Sequence, residues 1–292
     1  MKIQNIVAAF TVILSVSVAR ASEPELLPTY WNSDDVSTVS FNGAGEVSQD
    51  WVEQFCDCGP VFFAGADLMY LKYFKSGGVG APAGGVLGDF DYKPAWRINT
   101  GVAVRDGWFI EGRYMNYSGN TTNTTPIAGN LSADFYNVDA VGGCILDWAY
   151  GLTTRLEGGV RHFEFDERIA AAAVNGTNVQ RGTGLILGVQ VDKTLFNGVS
   201  LYGKALGGSL FGSGAQTLFN FTRPHSDTSV NVLEYGVGIS AERLLFNDVV
   251  LTGSLGAESV TYFGAGRDLT VANPVVEDVS LFGLMFHLGI SR

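Results

Sequence analysis

The residues of this chain that could do chemistry are three histidines, three cysteines and a set of charged side chains at alternate positions. His162, His225 and His287 lie in different segments and lack the spacing of ligands that share one metal ion. His287 could serve a hydrolase as its base, but such an enzyme also needs a nucleophile, and no serine stands in a recognisable nucleophile motif. We therefore expect no catalytic residue, no metal site, no cofactor and no enzymatic activity.

Cys56 and Cys58 form a C-x-C pair that could be a redox couple or half of a metal site. No second pair and no nearby histidine completes either arrangement, which favours a local or intermolecular disulfide. Cys144 stands alone in a predicted strand, where a small packing residue is the simpler interpretation.

Thirteen charged residues alternate with apolar ones and are predicted to share one interior surface. They are Asp67, Arg97, Glu111, Arg113, Asp139, Arg155, Glu157, Arg161, Asp192, Lys204, Glu234, Glu242 and Glu258. Charges facing lipid instead would cost about 2–4 kcal/mol for Arg or Lys at the midplane, which favours the inward assignment. Eight of the thirteen are acidic, so a water-filled interior lined by them would have a mild preference for cations.

The elements that must position these residues are strands, because apolar side chains recur at every second position over long segments. The ten predicted strands are 61–75, 94–105, 108–118, 132–147, 151–165, 183–195, 200–212, 231–243, 249–263 and 279–291. Tight turns alternate strictly with long stretches, which are 76–93, 119–131, 166–182, 213–230 and 264–278. This alternation is typical of an outer-membrane barrel with short periplasmic turns and longer extracellular loops.

A soluble β-sandwich is the alternative, but its strands would have about 5–6 residues and its loops no reason to alternate in length. The sequence therefore predicts an all-β, antiparallel transmembrane β-barrel of about ten strands in an up-and-down meander. Aromatic residues near the strand ends predict two interfacial belts. Those near the long loops are Trp96, Tyr114, Tyr117, Phe135, Tyr136, Phe163, Phe165, Tyr235, Tyr262 and Phe263. Those near the turns are Trp108, Trp148, Tyr150, Phe196 and Phe246.

The first 21 residues have the pattern of a secretory signal peptide, with an apolar run before Ala19-Arg20-Ala21. A buried N-terminal helix is the alternative interpretation. Residues 22–60 form a polar leader that we expect in the periplasm, and residues 61–292 the barrel. We expect the protein in the bacterial outer membrane. The net charge of −11 argues against nucleic acid as a partner.

Short motifs between residue 60 and the end resemble the Legionella-type major outer membrane protein family of pore-forming barrels. They are the segment Phe63 to Lys72, Gly107-Trp108 with Glu111 to Tyr114, Glu157 to Phe163, and Tyr202 to Gly212. The resemblance implies a porin-like role in the outer membrane and no catalytic residues. The ending Gly289-Ile290-Ser291-Arg292 departs from the terminal aromatic residue of many such barrels.

The predicted function is that of an outer-membrane porin that lets small hydrophilic solutes or ions diffuse passively. The alternative is a closed structural or adhesive barrel that displays surface loops. Barrels of eight strands are filled by side chains and those of sixteen hold an aqueous channel, so ten strands lie near the closed limit. Expected partners are outer-membrane lipid, the outer-membrane assembly machinery and further copies of the chain in a homo-oligomer.

Overall fold

A computed structural model describes residues 41–42, 46–47, 60–76, 90–104, 107–123, 129–171, 175–196, 198–218, 221–245, 249–267 and 276–292. The predicted signal peptide, most of the leader and the Cys56/Cys58 pair lie outside these residues. The chain divides into two units, Met1–Thr38 and Val39–Arg292, and the described residues all belong to the second. Among them, no helix has the length and apolar character needed to cross a membrane.

Ten antiparallel strands close into one barrel in chain order, with the last strand paired to the first, as the sequence predicts. A small ladder, β1 (Phe41–Asn42) with β2 (Glu46–Val47), precedes them. The barrel strands are β3 (Val61–Ser76), β4 (Lys93–Ala103), β5 (Trp108–Asn123), β6 (Gly129–Trp148), β7 (Leu152–Ala171), β8 (Asn175–Phe196), β9 (Val199–Leu218), β10 (Phe221–Leu244), β11 (Val250–Arg267) and β12 (Val276–Ser291).

The register fixes the tilt of the strands. A row of directly paired residues that starts at Val61 and follows the ladders around the barrel returns to β3 at Tyr73, twelve residues further along. A displacement of this size in ten strands corresponds to a tilt of about 40° from the barrel axis. The wall is therefore steeply staggered, and neighbouring side chains come from distant parts of the chain.

The two ends of the barrel differ in their connections. At the short-turn end, the short connections 104–107, 149–151, 197–198 and 245–249 join the strands. Gly107, Gly151 and Gly198 have positive φ in three of these turns, a conformation that glycine adopts without strain. At the opposite end, called the hairpin end, the connections are 77–92, 124–128, 172–174, 219–220 and 268–275.

The predicted extent of four long loops is wrong. β5 continues to Asn123, β7 to Ala171, β9 to Leu218 and β11 to Arg267, so paired strand replaces much of 119–131, 166–182, 213–230 and 264–278. The reason is that these outer parts carry polar residues on their outward faces. The apolar alternation therefore ends while the backbone hydrogen bonds continue.

Glycines on the inner wall let large side chains lie flat against the backbone. A Cβ placed on Gly256 would collide with the Tyr202 hydroxyl and lie 2.7 Å from the Val237 carbonyl oxygen. A Cβ on Gly203, which faces outward beside Tyr202, would meet nothing within 4 Å. Glycine at position 256 is therefore required by close packing inside the barrel.

Candidate functional site

All thirteen of the charged residues proposed as lumen-lining lie on the interior face of their strands. Nine are buried, and Arg113, Glu157, Lys204 and Glu242 are partly so. Eleven of them form ion pairs near mid-height, and together with His287 they are called the ionic layer. The remaining two, Asp192 and Glu242, lie nearer the short-turn end, where the Gln190 side-chain amide donates to Asp192 at 3.1 Å.

Arg97 on β4 is the centre of the larger network. Its Nε donates to Asp67 Oδ2 at 2.5 Å, and its two terminal nitrogens donate to the Glu258 carboxylate at 3.0 and 2.8 Å. Glu234 accepts from Arg97 Nη1 at 3.2 Å and from Arg161 Nη2 at 3.1 Å. One guanidinium therefore joins carboxylates from three strands across the barrel.

Arg161 and Lys204 complete this Arg97 network. The Arg161 guanidinium donates two hydrogen bonds to Asp139, at 2.7 and 2.6 Å, in a bidentate pair. Lys204 Nζ lies 2.7 Å from Glu258 and 3.6 Å from Glu234. The network contains Asp67, Asp139, Glu234, Glu258, Arg97, Arg161 and Lys204.

A second, smaller set, the Arg113 network, lies on the neighbouring wall. Arg113 donates to Glu157 at 2.8 and 2.6 Å and to Glu111 at 2.9 Å. Arg155 pairs with both carboxylates, and its guanidinium carbon lies 3.9 Å from the centre of the Phe109 ring. Two acids and two bases therefore balance each other here.

His287 on β12 belongs to the Arg97 network through Asp67. Its Nδ1 lies 2.5 Å from Asp67 Oδ1, and its side chain is fully buried. Nε2 has no hydrogen-bond partner among the described residues. The pair therefore has an acid and a base in contact, but lacks the hydrogen bond to a nucleophile that a catalytic triad requires.

Five aromatic residues that the sequence placed in an interfacial belt instead fill the interior. Tyr117, Phe135, Phe163, Phe165 and Tyr262 are each at most 4% exposed. With Tyr73 and Phe90 they form the aromatic layer, on the hairpin side of the ionic layer, with ring-centre distances such as 4.7 Å between Phe135 and Tyr262. Their assignment to the belt is wrong. Along each strand they lie an even number of residues from the inward-facing charges, so their side chains face the interior as well.

The aromatic layer is bonded to the ionic layer beneath it. Arg161 Nη1 donates to the Tyr262 hydroxyl at 3.3 Å, and the Asn137 amide donates to the same oxygen at 3.2 Å. The two layers thus form one continuous packing unit across the barrel. A cavity of about 40 Å³ remains on the wall of the ionic layer, bordered by Glu111, Arg113 and Gln190 among others. That volume suits a few water molecules.

The outward faces of the strands form an apolar band. From Leu152 to His162 on β7, a rise of about 3.3 Å per residue on strands tilted by about 40° gives a height of about 25 Å. Apart from Lys193 and Arg243 near the short-turn edge, the described outward residues within that height are apolar, small or uncharged, as in the band of membrane barrels. Tilted or stacked rings of Trp96, Tyr114, Tyr136 and His162 mark its upper edge on four neighbouring strands.

Beyond this ring of side chains the wall continues towards the hairpin end, and this part is called the extension. Its interior holds Lys75, whose ammonium lies 2.8 Å from both Glu167 and Glu277. Burial raises the pKa of Glu167 although Lys75 acts in the opposite direction. Burial lowers the pKa of Lys75, but the two carboxylates outweigh it and the net shift is upward. The extension therefore has its own buried ion pairs.

The described residues contain no group of three or more histidine, cysteine or acidic side chains placed to hold a metal ion. Cys144 is a free thiol on an outward face. The site that the structure does show is a filled cross-section, in which ion pairs join the strands and rings pack above them. Chemically, such an arrangement holds strands from different parts of the wall together.

No protein-family model matches the chain, and no curated protein matches it. Among solved structures, the outer membrane protease OmpT from Escherichia coli is 10% identical, with 80% of this chain and 96% of that chain covered and a TM-score of 0.47. The translocator domain of the autotransporter NalP from Neisseria meningitidis is 15% identical (82% and 91% covered, TM-score 0.46). The outer membrane protein OprG from Pseudomonas aeruginosa is 11% identical (80% and 94% covered, TM-score 0.32).

Proposed function

We propose that the protein is a closed outer-membrane barrel that serves as a structural or adhesive display scaffold, which is the alternative to the porin predicted from the sequence. The observation that carries this proposal is the filled cross-section. The ionic layer and the aromatic layer lie one above the other, and side chains from opposite walls are hydrogen-bonded to each other in both. A hydrated solute crossing the barrel would have to disrupt ion pairs and displace rings together.

The outer-membrane location is supported by the exterior. An apolar band of about 25 Å, with aromatic side chains near both edges, has the height and character of the lipid-facing band of such barrels. At the short-turn edge, Trp108 and Trp148 are more than half exposed, at 57% and 56%. Exposed indole rings favour the interface between hydrocarbon and water.

Display is supported by the extension. Strands such as β7 continue for nine residues past His162, which raises their tips by about 20 Å above the apolar band. Most of β10 between Phe221 and Ser229 is exposed on both faces, so this hairpin stands free of the barrel interior. We therefore place the surface offered to the outside on the extension, with Phe221, 77% exposed, near its highest point.

Recording from single molecules of refolded protein in a planar bilayer tests the proposal. We expect no stable unitary current from the native chain, because the two layers block the barrel. A variant that removes blocking groups, Arg161→Ala with Tyr262→Ala, should conduct. The matched control removes two lipid-facing side chains, Leu185→Ala with Leu187→Ala, which are 71% and 72% exposed, and should stay silent.

A reproducible unitary current through the native chain would overturn the closed barrel and favour the porin. In that case the reversal potential under a potassium chloride gradient would test the cation preference expected from the interior acids. The resemblance to pore-forming major outer membrane proteins, the partners named above and the absence of enzymatic activity stay predictions.

A further inference from the structure

The charges of the two mid-height networks do not balance in the same way. The Arg113 network has two carboxylates and two guanidinium groups. The Arg97 network has four carboxylates, from Asp67, Asp139, Glu234 and Glu258, against three permanent cations, from Arg97, Arg161 and Lys204. Among the described residues that touch the larger network, one negative charge is therefore left over.

That surplus lies where charge is most costly. Asp67, Asp139, Glu234 and Glu258 are between 2% and 5% exposed, at the height of the membrane interior. An uncompensated ion at such a site is strongly unfavourable, and buried charges in proteins are normally paired. With every carboxyl group ionised, neutrality of the network requires one further positive charge within contact distance.

His287 is the group that meets this requirement. Its Nδ1 contacts Asp67 Oδ1 at 2.5 Å, while the other oxygen of that carboxylate accepts from Arg97. Through Asp67 on β3 the ring is connected to Arg97 on β4, and through Arg97 to Glu258 on β11, which also pairs with Lys204 on β9. We propose that His287 is held as an imidazolium and is the fourth cation of the Arg97 network.

The Nε2 atom of His287, which has no hydrogen-bond partner among the described residues, does not decide whether the ring is charged. A neutral imidazole that donates Nδ1–H to Asp67 leaves an unpartnered lone pair at Nε2, and an imidazolium leaves an unpartnered N–H at the same place. Both forms have one unmet hydrogen bond. They differ in charge balance, because with every carboxyl group ionised the network is neutral only when the ring carries both protons.

The contact between His287 and Asp67 joins β12 to β3, on the seam where the barrel closes. Without the charge on His287, one surplus negative charge returns to the network, and we expect this seam to be weaker.

Nitrogen NMR of the full chain, refolded in detergent micelles with ¹⁵N-labelled histidine, tests the proposal directly. At neutral pH both ring nitrogens of His287 should have the chemical shifts of protonated nitrogens. The His162→Asn and His225→Asn variants assign the remaining signals. A chemical shift typical of an unprotonated ring nitrogen at His287 would overturn the proposal, independently of any unfolding measurement on variants.

Two variants provide a second, independent measurement. His287→Gln retains a hydrogen-bond donor for Asp67 but removes the charge, so its urea unfolding midpoint at neutral pH should fall. Adding Asp67→Asn restores the balance of three acids and three bases and should recover more than half of that loss. A double variant as unstable as His287→Gln, or a His287→Gln midpoint equal to that of the native chain, would contradict an imidazolium.

Discussion

Replacing Arg97 tests whether the ionic layer holds the barrel together. Arg97→Gln removes the cation shared by Asp67, Glu234 and Glu258 and leaves these carboxylates buried. Lys204 still contacts Glu258 at 2.7 Å, so part of the compensation remains. Breaking a buried ion pair by removing one partner typically costs about 3–5 kcal/mol, and we expect a loss in this range.

The assay is equilibrium unfolding in urea of protein refolded into lipid vesicles, followed by tryptophan fluorescence. With a slope of about 2 kcal/mol per molar urea, the expected loss lowers the unfolding midpoint by on the order of 2 M. The matched control is the same substitution at an exposed ion pair, Arg168→Gln. Arg168 is 61% exposed and contacts Asp166 at 2.5 Å in the extension, and such pairs contribute about 0–1 kcal/mol.

The two substitutions remove the same chemical group from different surroundings. If Arg97→Gln and Arg168→Gln shift the midpoint equally, the ionic layer does not stabilise the barrel and the argument from burial is wrong. A third variant, Arg97→Gln with Glu258→Gln, should be more stable than Arg97→Gln alone. The reason is that Glu258, one of the three carboxylates that lose Arg97 as a partner, is then replaced by a neutral amide.

Three further predictions concern packing, titration and topology. Gly256→Ala should lower the free energy of unfolding by about 1–3 kcal/mol through overpacking, whereas Gly203→Ala should leave it nearly unchanged in the same urea assay. Burial and two nearby arginines lower the pKa of His225 from 6.5, so its protonated form is disfavoured in the folded barrel; a proton NMR titration midpoint at or above 6.5 would refute this. In a background without native cysteines, Ser226→Cys should react with an impermeant thiol reagent on intact cells, and Tyr150→Cys only after the outer membrane is permeabilised. The reverse pattern would invert the orientation of the barrel.

Much of the fold could be predicted because the membrane imposes a strict alternation on each strand. The two-residue alternation of side chains along each strand predicts the ten strands and their order. It also predicts the face on which Arg97 or Glu234 lies. The true ends of strands such as β7 could not be predicted, because beyond His162 both faces are in contact with polar surroundings or other protein. No hydrophobic pattern then marks where pairing stops.

The filled interior was missed for a different reason. Phe163 lies two residues from Arg161 and Tyr262 four residues from Glu258, so the alternation along each strand already assigns both rings to the interior. Counting aromatic residues by their distance from a strand end hides this signal. The ion pairs themselves could not be predicted, because they depend on the twelve-residue stagger that brings β4 and β11 together across the barrel.

The shortness of β4 has a mechanical consequence. β4 spans Lys93–Ala103, whereas β3 and β5 on either side each have 16 residues, so the two ladders that hold β4 are the shortest in the wall. Local opening follows the least supported hydrogen bonds first. When the barrel is heated or stretched, the hydrogen bonds along β4 should therefore break before those of the β12–β3 closure. Amide hydrogen exchange should be fastest in β4 among the spanning strands.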